Sequence, residues 1–235
     1  NTFYFRFSHP TGDIDLTAVS VTEPWDLGIV WSSGKGYQYA NIFAPRIQVS
    51  GRYRTRSRDD GSVSEYQTLS DGYGHGLRHI TSSAMGEASR AWLRGFASGA
   101  SAQAELSPVF DMRQLKNGNT RANIRLLDDA GKVIDDLSFE TEISLLKDRR
   151  EDCCSVIPVN AVSEAGILSG NIHLTQQVQQ FNVVNELKPF ERFIVSIFKT
   201  PVNSRFRMSY DLNYNANDSS RSIQGKGLAD LMTLE

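Results

Sequence analysis

Cysteine is almost absent: the 235-residue chain holds two, Cys153 and Cys154, and they are neighbours. Adjacent residues on a strand face opposite sides, with Cα atoms about 3.8 Å apart, so a bridge between them would distort the peptide. Two free thiols, one of them buried, are expected; a vicinal redox switch or an intermolecular link is the alternative. No disulfide framework exists, so an oxidising compartment is not required. Histidine is scarce as well, with only His9, His75, His79 and His173.

An excess of either charge is also missing. With 25 Lys and Arg against 27 Asp and Glu, the formal net charge is −2, which argues against nucleic acid as the main partner and leaves room only for a weak, salt-sensitive contact. No apolar run approaches the roughly 18 to 20 residues that a spanning helix needs, and the longest candidate, around Phe193 to Phe198, has the length of a strand. No phosphate-binding glycine loop, dinucleotide fingerprint or Gly-x-Ser-x-Gly elbow occurs, and no cofactor is expected. Initiator Met, a charged n-region and an apolar h-region are missing before Asn1, which suggests a mature secreted protein, a polyprotein product or an artificial boundary.

Period-2 alternation, by contrast, is plentiful. Phe206, Met208, Tyr210, Leu212 and Tyr214 alternate with polar residues, as a strand with one buried face requires. The same pattern opens the chain at Phe3, Phe5 and Phe7 and returns at Ile47, Val49 and Tyr53, and at Phe139, Thr141, Ile143 and Leu145. Strands are expected over 2–8, 13–21, 27–31, 40–58, 62–69, 122–126, 132–146, 155–160, 167–174, 191–199 and 204–214. Asp59-Asp60-Gly61 and Asp128-Asp129-Ala130-Gly131 provide hairpin turns. The glycine-rich segment Asp71 to Gly76 predicts a loop. Met85, Ala88, Trp92 and Phe96, at spacings of three and four, predict a helix over 82–98, with Ser82 or Ser83 as N-cap. Gln176 to Glu186 fits helix or strand, and Gly227 to Leu234 fits one or two helical turns. The expectation is a single mainly-β domain over residues 1–235, an antiparallel, jelly-roll-like sandwich with one inserted helix.

The strongest local anomaly is Arg52, Arg54, Arg56 and Arg58, four arginines at spacing two. On a strand they form a cationic stripe roughly 20 Å long, which needs acidic neighbours such as Glu65 or an anionic partner. The guanidinium fork suits carboxylate and phosphate alike, so these four are the candidate binding residues, while a solvated edge that resists aggregation is the structural alternative. Asp71, His75 and His79, four apart, would make a metal-ligand row on a helix, but the glycines between them oppose a helix, and no metal site is expected. Glu140 and Glu142 share one strand face, as paired carboxylates of a glycosidase could, or as a solvated outer face would. Asn217-Asp218-Ser219 matches the glycosylation sequon and hints at a surface loop.

The absence of a catalytic constellation points to a non-enzymatic assembly protein, a jelly-roll capsid subunit whose partners are other copies of itself, in a virion. The strand spacing resembles that of coat proteins of small positive-strand RNA viruses, with no motif behind the likeness. A secreted or periplasmic module that neutralises a toxin, with Tyr37, Tyr39 and the arginine stripe as contact surface, is the second reading. A polysaccharide hydrolase using Glu140, Glu142, His75 and His79 is the third.

Overall fold

A computed structural model describes residues 1–34, 36–57, 59–82, 89–142, 145, 155–182, 201–216 and 219–234. Five strands come first: β1 (Thr2–His9), β2 (Gly12–Ser20), β3 (Trp25–Ser33), β4 (Gly36–Thr55) and β5 (Gln67–Thr81). They form a sheet ordered β1-β2-β4-β3, with β5 on the opposite edge of β4. Eight more follow: β6 (Ser89–Ala97), β7 (Ser107–Leu115), β8 (Thr120–Leu127), β9 (Val133–Thr141), β10 (Ser155–Val162), β11 (Gly166–Asn182), β12 (Pro201–Ala216) and β13 (Ser219–Leu234). These close into an antiparallel barrel in the order β10-β11-β12-β13-β6-β7-β8-β9, sealed by the pairing of Val162 with Ser138. Closure removes the exposed strand edges that a sheet otherwise presents.

Inward-facing residues fill the barrel: Leu93, Phe110, Met112, Ile124, Leu126, Leu168, Ile172, Met208 and Leu212 are all fully buried. A second cluster, Trp25, Ile42, Phe96, Val109 and Leu127, joins the outside of β6, β7 and β8 to the five-stranded sheet, with Leu77 of β5 and Leu228 of β13 packed against it. The strands between the two layers therefore carry buried apolar residues on both faces.

That double burial overturns the expected helix at 82–98. Residues 89–97 are strand β6, with Ala91, Leu93 and Ala97 inside the barrel and Trp92 and Phe96 outside it beside Arg90 and Arg94, so buried apolar residues fall on both faces and the period-2 signal is lost. Residues 83–88 lie outside the described ones. The jelly-roll sandwich likewise gives way to a barrel and a separate sheet, because pairing of β13 with β6 closes the eight strands on themselves. Gly227 to Leu234 belongs to that closing strand, not to a helical turn. The expected loop at Asp71 to Gly76 is the middle of β5. Its glycines meet a packing need: a Cβ on Gly76 would fall 2.4 Å from the Phe43 ring, and one on Gly72 would fall 2.9 Å from Leu69. Residues 176–182 continue β11 as strand. The hairpins at 59–61 and 128–131 stand as expected, the first closed by the Arg56–Val63 bridge and the second by β8 against β9. The expected strand at 191–199, the Cys153–Cys154 pair and the Asn217–Asp218 part of the sequon lie outside the described residues.

Glycine also makes room inside the barrel. A Cβ on Gly95 would fall 2.2 Å from the Phe110 ring, which is fully buried and hemmed in. Gly95→Ala is expected to cost about 1–3 kcal/mol by overpacking, read as a lowered urea midpoint. An unchanged midpoint would mean that the Phe110 ring has somewhere to go.

Candidate active site

Register places a row of charged residues across four neighbouring barrel strands on the outer face. Arg205 of β12 pairs with Asp230 of β13, Asp230 with Arg94 of β6, and Arg94 with Asp111 of β7. Side-chain exposure falls along the row, from 46 % at Arg205 through 22 % and 13 % to 0 % at Asp111. Arg205 holds Asp230 through two hydrogen bonds of 2.7 and 3.1 Å.

Asp111 is the buried anchor. Its Oδ2 accepts hydrogen bonds from Trp92 Nε1 and Arg94 Nε, both at 2.8 Å, and its Oδ1 accepts one from Arg113 Nε at 2.7 Å. Burial would raise its carboxyl pKa, but the two guanidinium charges outweigh burial and hold it below the usual carboxylate range. The Trp92 ring lies against both arginines, with Arg94 Cζ 3.6 Å and Arg113 Cζ 4.1 Å from its centre. Each arginine gives its Nε to Asp111, and Arg94 Nη2, Arg113 Nη1 and Arg113 Nη2 are buried without a hydrogen-bond partner among the described residues. Two cations thus share one carboxylate, and three donor nitrogens are unspent.

The second sheet brings His75 of β5 to this place. Its ring centre is 4.4 Å from that of Phe96, beside Arg94 on β6. Burial pushes its pKa down to about 4; Asp230 pulls the other way, and Arg94 and Arg205 add to the fall. The imidazole is neutral at pH 7 and able to accept a proton. Because its folded pKa lies below the ordinary 6.5, its contribution to stability is complete above pH 6.5 and is lost as pH falls through about 4. Between pH 7 and pH 4.5 the wild type is therefore expected to lose more of its urea midpoint than His75→Gln. Equal losses would show that His75 titrates as it would in water.

The arginines singled out by the sequence lie elsewhere, on the five-stranded sheet. Arg52, Arg54 and Arg56 share a face and are countered from β2 and not by Glu65. Asp15 sits 3.4 Å from Arg52, and Asp13 sits 2.5 Å from Arg54 and 3.1 Å from Arg56. Hydrogen bonds from Ser8 and Arg54 hold the Asp13 carboxyl far below its usual range. Tyr66 lies under Arg52 and Arg54 at 4.7 and 4.6 Å. Arg58 lies outside the described residues. Glu140 is exposed and bonded to Arg121 at 2.8 Å, and Glu142 is exposed beyond the end of β9. Asp71, His75 and His79 fall on strand β5, where four residues span about 13 Å, too far for a shared metal ion. Of Asp71, His75, Glu140 and Glu142, only His75 comes close enough to the charge row to feel Asp230, Arg94 and Arg205.

Sequence reasoning passed over Trp92, Arg94, Asp111 and Arg113. The signal was present: Asp111 and Arg113 interrupt Val109, Phe110 and Met112, a stretch apolar enough to be buried on both faces.

No protein-family model matches this sequence, and neither does any curated protein. Similar folds occur among solved structures. CghA in its crystal structure with Sch210972 shares 14 % identity at a TM-score of 0.52, over 97 % of this chain and 63 % of that one. CghA in a second crystal structure gives 14 % and 0.51, over 96 % and 62 %. Kievitone hydratase from Nectria haematococca gives 10 % and 0.50, over 98 % and 64 %. This chain thus spans somewhat under two thirds of each neighbour's length, and the likeness is one of fold. One of these neighbours is by name a hydratase, and none of the three is named as a coat protein. The expectation of a capsid subunit, and with it that of a non-enzymatic structural protein, is corrected on that finding.

Proposed function

We propose that this protein is an enzyme of general acid–base chemistry, adding water to, or removing it from, a small and largely apolar carbonyl compound. The observation that carries the reading is a neutral imidazole, His75, beside a buried cationic group with unspent donors. Support comes from the fold shared with a hydratase.

In the elimination direction His75 takes the proton from the carbon next to the carbonyl. The electron pair moves onto the carbonyl oxygen, where Arg94 and Arg113 stabilise the enolate as its charge develops. The enolate then collapses, forming the carbon–carbon double bond and expelling the β-hydroxyl, which leaves as water with the proton returned from the imidazolium. Hydration is the reverse.

The test is a panel of β-hydroxy and α,β-unsaturated carbonyl compounds with apolar bodies, both simple ketones and members bearing a carboxylate or a 1,3-dicarbonyl, followed by mass spectrometry for the loss or gain of one water. With a converted compound in hand, His75→Gln is expected to lower kcat about 10²- to 10⁴-fold with its melting temperature kept. Conversion by His75→Gln at the wild-type rate, or no conversion across the panel, would overturn the reading.

A further inference from the structure

We infer that the ligand of this site carries one negative charge shared by two oxygens in a plane, as a carboxylate or an enolised 1,3-dicarbonyl does, and that Arg113 recognises it end-on. The inference rests on the reading of this place as an active site and names its substrate class.

The warrant is the count of donors. Arg113 retains only 6 % of its side-chain exposure and spends Nε on Asp111. Both of its terminal nitrogens are then buried without a partner. A guanidinium whose Nη1 and Nη2 are free presents two parallel N–H bonds, which match the spacing of two oxygens on one carbon. Arg94 Nη2, on the other guanidinium that Asp111 holds, is a third buried donor without a partner among the described residues. Buried donors of this kind are costly to leave unmade, so an acceptor that reaches them gains the full bond.

Charge agrees with geometry. Asp111 balances one of the two guanidinia, and Asp230 is engaged by Arg205, so among the described residues the Asp111 group carries one uncompensated positive charge. A neutral amide would offer one acceptor and leave that charge unanswered, and a dianion would exceed it. The rising exposure along the row toward Asp230 and Arg205 gives the direction of approach. The ring of Trp92 beside both arginines, and of Phe96 beside His75, offers apolar surface to the body of the ligand.

Isothermal titration tests this without turnover, using cyclohexanecarboxylate and the matched neutral cyclohexanecarboxamide as probes. The wild type is expected to bind the carboxylate at least about tenfold more tightly than the amide. Arg113→Met is expected to abolish that preference. Should that variant fail to fold, Arg113→Lys keeps the charge without the fork and is expected to lose most of the preference. Equal binding of the two probes, no saturable binding of the carboxylate in the millimolar range, or wild-type preference in Arg113→Lys would overturn the inference. The proposed reaction fails on a different result, unchanged turnover in His75→Gln, so the two failures are distinct.

Discussion

Replacing Asp111 with alanine is expected to destabilise the protein by about 3–5 kcal/mol, the range seen when one partner of a buried ion pair is removed. The carboxylate is wholly buried and accepts three charge-assisted or indole hydrogen bonds, from Arg94, Arg113 and Trp92. Its loss leaves two guanidinia close together in a low-dielectric setting, with their Nε donors added to the three nitrogens already unpartnered. Burial already pushes Arg94 down to about 10, which it tolerates because Asp111 pulls the other way. The measurement is the free energy of unfolding by urea, with Asp111→Asn alongside. Asparagine keeps one acceptor and should recover part of the loss. A cost below about 1 kcal/mol for the alanine variant would mean that water replaces the carboxylate and that the group is not dry.

The second large effect is expected at Arg46, where Arg46→Met should cost about 2–4 kcal/mol through loss of hydrogen bonds made by a charged donor. Arg46 sits on β4 and crosses to the barrel. Its Nη1 donates to the carbonyls of Asp128 and Asp129 at 2.8 and 3.1 Å, in the turn between β8 and β9, and its Nη2 donates to Ser107 Oγ on β7. The Arg46 backbone N–H donates to Thr22 Oγ1 at 2.9 Å, fixing the strand from which the side chain reaches. Arg125 provides a second strut, bonded to Asp136 by two 2.7 Å hydrogen bonds, lying 5.0 Å from the Trp25 ring and donating to the Pro24 carbonyl at 3.4 Å. Methionine fills the volume of Arg46 and makes none of its bonds. The sheet should then loosen from the barrel, seen as weaker near-ultraviolet circular dichroism from Trp25 and faster amide exchange in β4 than in β12. Uniform exchange in both strands would show that the two layers unfold as one and that Arg46 does not hold them.

The link from this clamp to the site is direct. His75 comes from the sheet, and Arg94, Asp111 and Arg113 come from the barrel, so the site exists only while the two layers are packed. A variant that loosens them should lose the charge row's neutral imidazole along with its stability.

Several strands were legible because one of their faces meets solvent. The run from Arg205 to Tyr214 alternates cleanly, and it is β12, with Met208, Tyr210, Leu212 and Tyr214 inside and Arg205, Arg207 and Asp211 outside. Turn chemistry marked the β8–β9 hairpin, where Gly131 takes a φ of 86° that other residues resist. Where both faces are buried the alternation vanishes, and β6 read as a helix. Where glycine serves packing and not turning, as at Gly76 beneath Phe43, a strand read as a loop.

What the sequence determined by itself was local: β character, most turns, the arginine face of β4, and the scarcity of residues for metal or disulfide chemistry. Those follow from side-chain period and backbone preference, which act over a few residues. Barrel closure, the seating of the sheet on the barrel and the meeting of His75 with Arg94, Asp111 and Arg113 were decided by tertiary structure alone. They depend on which strands pair, on the packing of one sheet against another that brings together His75 and Asp111, 36 positions apart, and on burial that turns a histidine into a neutral base and leaves arginine donors unspent. Neither pairing nor burial is written in the spacing of any one segment.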